Sequence, residues 1–183
     1  EDGLYINGHV TGNSPYLTFE WKAGKDGEHH EVKTQLIGEY NFANALAAVT
    51  IGHFFDVESG KIDTALKEYT PQNNRSQLKQ TADNTLIIDA YNANPTSMQA
   101  SISNFHNMEI DNKMLILGDM RELGKDGPKE HQKIVDFLTE CGFKDVMLVG
   151  EQFAAARHDF PTYPDAPAVI EALQKNKPHG KTI

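Results

Sequence analysis

The sequence predicts an α/β fold, a mostly parallel sheet with flanking helices, preceded by a β-meander and two further helices. Three observations predict it. Residues 1 to about 36 hold short β-rich segments separated by Gly, Asn, Ser and Pro. Two amphipathic helical patterns follow. From Thr85 onward, apolar runs of strand length alternate with helical periods, which implies right-handed crossovers between parallel strands.

In chain order, Leu4-Tyr-Ile6, Tyr16-Leu-Thr-Phe-Glu-Trp21 and Glu31-Val-Lys-Thr-Gln-Leu-Ile37 read as the meander. Tyr16, Thr18 and Glu20 alternate with Leu17, Phe19 and Trp21, so one face should be solvated and the other packed. Three strands alone cannot close a core, so this segment is expected to lean on something outside the chain. A helix over Asn41–Phe55 places Phe42, Ala45, Leu46 and Val49 on one face. A second, Ser59–Tyr69, does the same with Ile62, Ala65, Leu66 and Tyr69. Pro71 lacks an N–H and biases Thr70 away from helix, so Thr70–Arg75 is a connector and the expected domain boundary, with domains 1–70 and 71–183.

Leu86–Ile88 reads as a strand buried on both faces that ends at Asp89. Asn94-Pro95 then has the chemistry of an N-cap and first helical position, and Met98, Ile102 and Phe105 line one face of the helix that follows. Strands Met114–Leu117 and Val146–Val149 precede helices Pro128–Cys141 and Gln152–Arg157. Helix Pro167–Lys175 leads to a last strand-like piece, Lys181-Thr-Ile183, inside which the chain stops. A chain cut short at its end is the expectation.

Bulk properties narrow the function. With 183 residues, 39% hydrophobic and 23% charged, the chain can build a packed core. The charge of −9 argues against a broad nucleic-acid surface, which needs a basic footprint. No apolar run approaches the ~20 residues that span a bilayer, so no membrane insertion is expected. The one cysteine, Cys141, forms no intrachain disulfide and fits a cytoplasmic setting. The eight histidines are scattered, and no protein-built metal site is assigned.

Individual residues carry two meanings each. Asp89 and the asparagines after it either cap and turn the chain or hold a ligand at a strand's carboxyl end, where open α/β sheets bind. Gly118-Asp-Met-Arg-Glu-Leu-Gly-Lys-Asp126 superficially suggests a phosphate loop. Five residues rather than four separate its glycines, and Asp126 stands where Ser or Thr is needed, so it is not one. Asp119 and Glu122 either orient a cationic amine or are solvated loop acids. His131 precedes Ile134 and Val135 by three and four, so it faces inward, as a satisfied core histidine or as a ligand contact. Asn41 and Asn44 share a helix face that caps the helix or meets a flat heterocycle. Arg75 is a surface charge or a phosphate clamp.

Taken together, Gly38-Glu-Tyr-Asn-Phe-Ala-Asn-Ala-Leu-Ala-Ala48, Pro71-Gln-Asn-Asn-Arg-Ser76, Asp89-Ala-Tyr-Asn-Ala-Asn-Pro-Thr-Ser-Met98 and Leu117-Gly-Asp-Met-Arg-Glu-Leu-Gly124 with His131 resemble the Mur ligases over nearly the whole chain. The Tyr-Asn-Ala-Asn-Pro and Gly-Asp-Met-x-Glu-Leu-Gly blocks favour the branch that joins D-alanyl-D-alanine to UDP-N-acetylmuramoyl tripeptide in peptidoglycan precursor synthesis. The resemblance implies the end of a central ATPase domain followed by a Rossmann-like C-terminal domain that closes over the nucleotide. ATP phosphorylates a peptide carboxylate in that family, and the amine attacks the acyl phosphate.

By the same resemblance, Asn44 with Asn41 would contact adenine, Arg75 the ATP phosphates, Asp89 the ribose, and Tyr91 the nucleotide's neighbourhood. Asn92, Asn94, Asp119, Glu122 and His131 would shape the cleft for the dipeptide. Tyr40 departs from the family, which often has histidine there. The phosphate loop, the modified lysine and the Mg2+ ligands would lie upstream, and a Lys-Gly-Ser segment that touches the dipeptide just after Ile183. No catalytic residue is therefore expected in this chain, which alone should be inactive, and a monomer is expected. A related Mur-type amino acid ligase and a non-catalytic α/β binding module are the alternatives; a Gly-x-x-x-x-Gly-Lys-Ser/Thr loop upstream of Glu1 would separate the ligases from the module.

Overall fold

The computed structural model describes residues 5–72 and 74–183, which divide into two compact units, Glu1–Gln77 and Leu78–Ile183. The expected strand start at Leu4, and Asn73 of the connector, lie outside the described residues.

In the first unit, β1 (Ile6–Asn13), β2 (Tyr16–Ala23) and β3 (His30–Ile37) form an antiparallel meander in that order. The predicted alternation holds, since Leu17, Phe19 and Trp21 are buried while Tyr16, Thr18 and Glu20 are half-exposed. β1 runs past the glycines that interrupted its sequence signal. Gly8 opposes Trp21, and a Cβ there would stand 2.7 Å from the Glu20 carbonyl oxygen and 3.0 Å from Leu46. A glycine that reads as a breaker is here a site of close approach.

The helices α1 (Phe42–Phe54) and α2 (Ser59–Glu68) follow. Their Ala45, Val49 and Ile62 join Ile6, Leu17, Phe19, Trp21 and Val32 in one core, with Phe42, Leu46 and Leu66 packed against it. The meander finds packing partners within its own chain. The apolar helix faces cover it, and burying each large side chain contributes about 1.5–3 kcal/mol. The α2 face is narrower than expected, because Ala65 and Tyr69 are exposed.

Asp63, on the opposite flank of α2 from Ala65, is half-buried. Its Oδ1 accepts from Trp21 Nε1 at 2.8 Å, its Oδ2 lies 2.8 Å from His30 Nδ1, and the two rings stack with centroids 4.4 Å apart. Asp63→Ala should destabilise the first unit by roughly 2–4 kcal/mol, by leaving two nearly buried polar groups without their shared acceptor. Urea unfolding followed by Trp21 fluorescence checks this, and an unchanged midpoint would refute the clamp.

β4 (Gln77–Gln80), which begins at the last residue of the first unit, pairs with β5 (Thr85–Ile88). In the second unit β6 (Leu115–Gly118), β7 (Val146–Val149) and β8 (Thr162–Tyr163) form a parallel sheet in that order. Helices α3 (Pro95–Asn107), α4 (Gly127–Glu140), α5 (Glu151–Ala155) and α6 (Ala166–Lys175) alternate with these strands. Met98, Ile102 and Phe105 of α3 and Ile134, Val135 and Leu138 of α4 are buried, as their spacing requires. Two elements lacked a sequence signal: β4 is polar and β8 is two residues long.

The chain's last three residues connect the two strand groups. Thr182 makes parallel bridges to Thr85 and to Lys113. Thr85 N–H donates to Lys181 O, Ile87 N–H to Ile183 O, and Ile183 N–H to Thr85 O on one side. On the other, Met114 N–H donates to Thr182 O and Thr182 N–H to Asn112 O. The piece is held in place by Asn84, whose amide donates to Pro178 O and accepts from Lys181 N–H, and by ion pairs Lys181–Asp145 and Lys177–Asp83. The hydrogen bond from the Lys177 ammonium, and then its charge, hold the Asp83 carboxyl below its usual range. β5 is half-buried at every residue rather than buried on both faces, because its neighbours in the sheet are the short β4 and this three-residue piece.

Candidate functional site

Residues of the first unit's candidate group are brought together around the start of α1. Asn41 Nδ2 donates to Ile37 O at 2.8 Å, and Asn44 Nδ2 donates to Asn41 Oδ1 at 3.3 Å, which sets the two amides side by side. Neither makes a side-chain cap of α1, so the capping alternative does not account for them. Asn44 is exposed and Asn41 half-exposed.

The connector is bent hard at Arg75. Asn74 and Ser76 on either side are left-handed, with φ of 58° and 45°, a conformation uncommon outside glycine. Ser76 is buried, and its hydroxyl lies 2.8 Å from the Tyr40 hydroxyl, so the connector's end is tied to the turn before α1. Tyr40 is thus a local anchor where the sequence departs from the family pattern. Arg75 itself is exposed.

At the carboxyl end of β5, Asp89, Tyr91 and Asn92 are exposed. Asn94 caps α3: its side chain accepts from Ser97 N–H at 2.9 Å, and Ser97 Oγ accepts in return from Asn94 N–H. The amide oxygen of Asn94 is therefore committed to the helix, leaving its Nδ2 for any ligand.

A third group lies at the carboxyl ends of β6 and β7. A cleft of about 680 Å³ is lined by residues of the 118–124 loop, the start of α5 and the start of α6, among them Asp119, Arg121, Glu122, Gly150, Glu151 and Asp165. Glu122 is left-handed, with φ of 66°. Asp119 is not a free loop acid. Its Oδ2 accepts from Gln152 N–H and its Oδ1 from Phe153 N–H, both at 3.0 Å, so it caps α5 from a distant loop. An acceptor carboxylate suits these otherwise unpaired first-turn donors.

His131 is completely buried, on the inward-facing side that its spacing from Ile134 and Val135 gives it. Its Nε2 accepts from Met120 N–H at 3.0 Å, and Nδ1 lies 2.7 Å from Gly127 O. An Nε2 that accepts must carry its proton on Nδ1, which then donates to Gly127 O. Asp119 Oδ1 stands 3.5 Å from Nε2, but this proximity is no ion pair, since Nε2 has no proton to give. Arg121, Gly150 and Glu151 were not singled out from sequence. A glycine closing the apolar run Val146–Val149 was the available signal, because strand ends in parallel sheets carry the ligand loops.

Among the described residues, no group of three or more His, Cys, Asp or Glu is placed to hold a metal ion, and no helix is long and apolar enough to cross a membrane.

A parallel sheet with flanking helices, its polar loops gathered at the strands' carboxyl ends, defines a Rossmann-like α/β domain. Residues 74–183 match the family model described as Mur ligase, glutamate ligase domain, and the chain belongs to the Mur ligase family. It is 36% identical over 121 residues to the UDP-N-acetylmuramoyl-tripeptide–D-alanyl-D-alanine ligase of Bacillus subtilis (strain 168), covering 61% of this chain and 26% of that protein. The Escherichia coli (strain K12) protein of the same name is 31% identical over 152 residues, 82% of this chain and 32% of its own length. A crystal structure of MurF from Acinetobacter baumannii superposes with a TM-score of 0.83 at 25% identity, covering all of this chain and 42% of that one. A Thermotoga maritima MurF ligase in complex with ADP, 16% identical with a TM-score of 0.76, shares the fold over 98% of this chain and 42% of that one. The chain thus spans about a quarter to two fifths of the length of these relatives.

Proposed function

We propose that this chain is the C-terminal part of a cytoplasmic, ATP-dependent ligase that joins D-alanyl-D-alanine to UDP-N-acetylmuramoyl tripeptide. The observation that carries the proposal is the agreement of relatives of that name with the A. baumannii MurF fold across the whole chain. Residues 1–70 would be the end of the central ATPase domain and 71–183 the C-terminal domain. No segment of the 183 residues has the Gly-x-x-x-x-Gly-Lys-Ser/Thr pattern, so the chain alone should not turn over ATP.

In the first unit, the paired amides of Asn41 and Asn44 would offer donor and acceptor to adenine, and Arg75 a cation to phosphate. In the second, Asp89 would offer an acceptor to ribose hydroxyls, with Tyr91 alongside. ATP would supply the phosphoryl group that activates the acceptor carboxylate, with Mg2+ held by residues outside this chain. Asn92, the Nδ2 of Asn94, and Glu122 would face the dipeptide, while Asp119 holds the cleft wall and His131 supports it from below. The enzyme would act as a monomer.

Asp89→Ala in the full-length protein should raise KM for ATP at least tenfold, with KM for the dipeptide within about twofold. An unchanged ATP dependence would remove the ribose role. A panel of amines tests the reaction itself: ligation of D-alanyl-D-alanine in preference to L-alanine, D-glutamate or a diamino acid is expected. The 25% identity to a UDP-N-acetylmuramate–L-alanine ligase from Syntrophobacter fumaroxidans (strain DSM 10017 / MPOB) favours a related amino acid ligase as the second reading, and the same panel would reveal it.

A further inference from the structure

We propose that His131 is a positioning residue that sets the 119–122 loop for the incoming amine substrate without touching it. This rests on the ligase reading above for the identity of the substrate. An apolar side chain would fill the same space with no polar group to satisfy, so burial alone does not ask for an imidazole. What the imidazole supplies is an acceptor for Met120 N–H, held in one tautomer by Gly127 O. Met120 is itself buried, and the loop is constrained at Asp119 before it and at Glu122 two residues after it. Asp119 is tied to the first turn of α5, and Glu122 is held left-handed at φ 66°. The edge-to-face contact of the His131 ring with Phe153, centroids 4.7 Å apart, fixes the imidazole against that same α5 turn.

The ring therefore registers the loop against both α4 and α5. Arg121 and Glu122, which follow the anchored Met120, are thereby presented to the cleft. Left-handed backbone at a non-glycine persists only where its surroundings over-determine it, and the His131–Met120 bond is the anchor two residues before it.

Two polar variants separate positioning from mere packing. Gln places its amide oxygen near the Nε2 position and can still accept from Met120, whereas Asn ends near Nδ1 and falls short. In the full-length protein, His131→Asn should raise KM for the amine at least tenfold, with KM for ATP within twofold, and His131→Gln should stay within threefold of the parent. Equal rises in both KM values, or a Gln variant no better than Asn, would overturn the proposal. Exchange of the Met120 amide in this chain should quicken at least a hundredfold in the Asn variant and stay slow in the Gln variant. Unchanged exchange in both would overturn the anchor whatever reaction the whole protein performs. If no amine in the panel is ligated, the ligase reading falls, and Met120 exchange still decides whether His131 sets the loop.

Discussion

Deleting Lys181–Ile183 should cost the second unit roughly 3–7 kcal/mol. Five backbone hydrogen bonds disappear with the segment, three to β5 and two to the strand start at Asn112–Met114, each contributing ~0.5–1.5 kcal/mol net. The ion pair Lys181–Asp145 is lost as well, a smaller term because both groups are partly exposed. The deeper effect is topological. Among the described residues, Thr182 is the only bridge between the β4-β5 pair and the β6-β7-β8 sheet, so its loss leaves two new edges in place of one sheet. A domain holds about 5–15 kcal/mol in total, so a partly unfolded second unit should be populated at 25 °C. Amide exchange of Thr85, Ile87 and Met114 should rise towards the unfolded rate. Trp21 lies in the first unit and gives an internal reference by fluorescence. Slow exchange at those three amides after the deletion would refute the stitching role.

Gly150→Ala should cost roughly 4–9 kcal/mol, for two separable reasons. Gly150 adopts φ of 126°, which an L side chain tolerates at a cost of about 1–3 kcal/mol. A Cβ there would also lie 2.2 Å from the Asp119 carboxyl group. The carboxylate must then leave the N–H groups of Gln152 and Phe153, and hydrogen bonds to charged groups contribute ~1.5–3 kcal/mol each. In an Asp119→Ala background only the backbone cost remains, so the same substitution should fall to about 1–3 kcal/mol. Urea denaturation of the four proteins of this cycle measures the coupling. Additive costs would show that Asp119 and Gly150 do not share the site.

Local chemistry was readable where periodicity was strong or a cap was spelled out. The faces Phe42-Ala45-Leu46-Val49 and Met98-Ile102-Phe105, the alternation of β2, and the Asn94-Pro95 helix start are all present as expected. Gly8 misled because a glycine's absent Cβ means either a turn or a close approach, and only Glu20 and Leu46 opposite it decide which. The candidate site divides in the same way. Asn41 and Asn44 meet because three residues of helix bring them together, a local fact. Asp119 and His131 have polar side chains at loop and helix positions where a ligand role was open. Their partners, α5 and Met120, come from packing between elements that pattern does not specify.

The sheet order makes the same division at larger scale. Alternating strands and helices already require parallel strands, because a right-handed crossover returns the chain in the same direction. They do not say which strands are neighbours. Lys181-Thr-Ile183 was legible as strand-like, yet its position between β5 and the start of β6 depends on Asn84, Asp83 and Asp145, which hold it from distant parts of the chain. Hydrogen-bond ladders form between backbones whatever their side chains, so pairing is chosen by the packing and loop contacts that bring two backbones within reach. That choice exists only once the chain has folded.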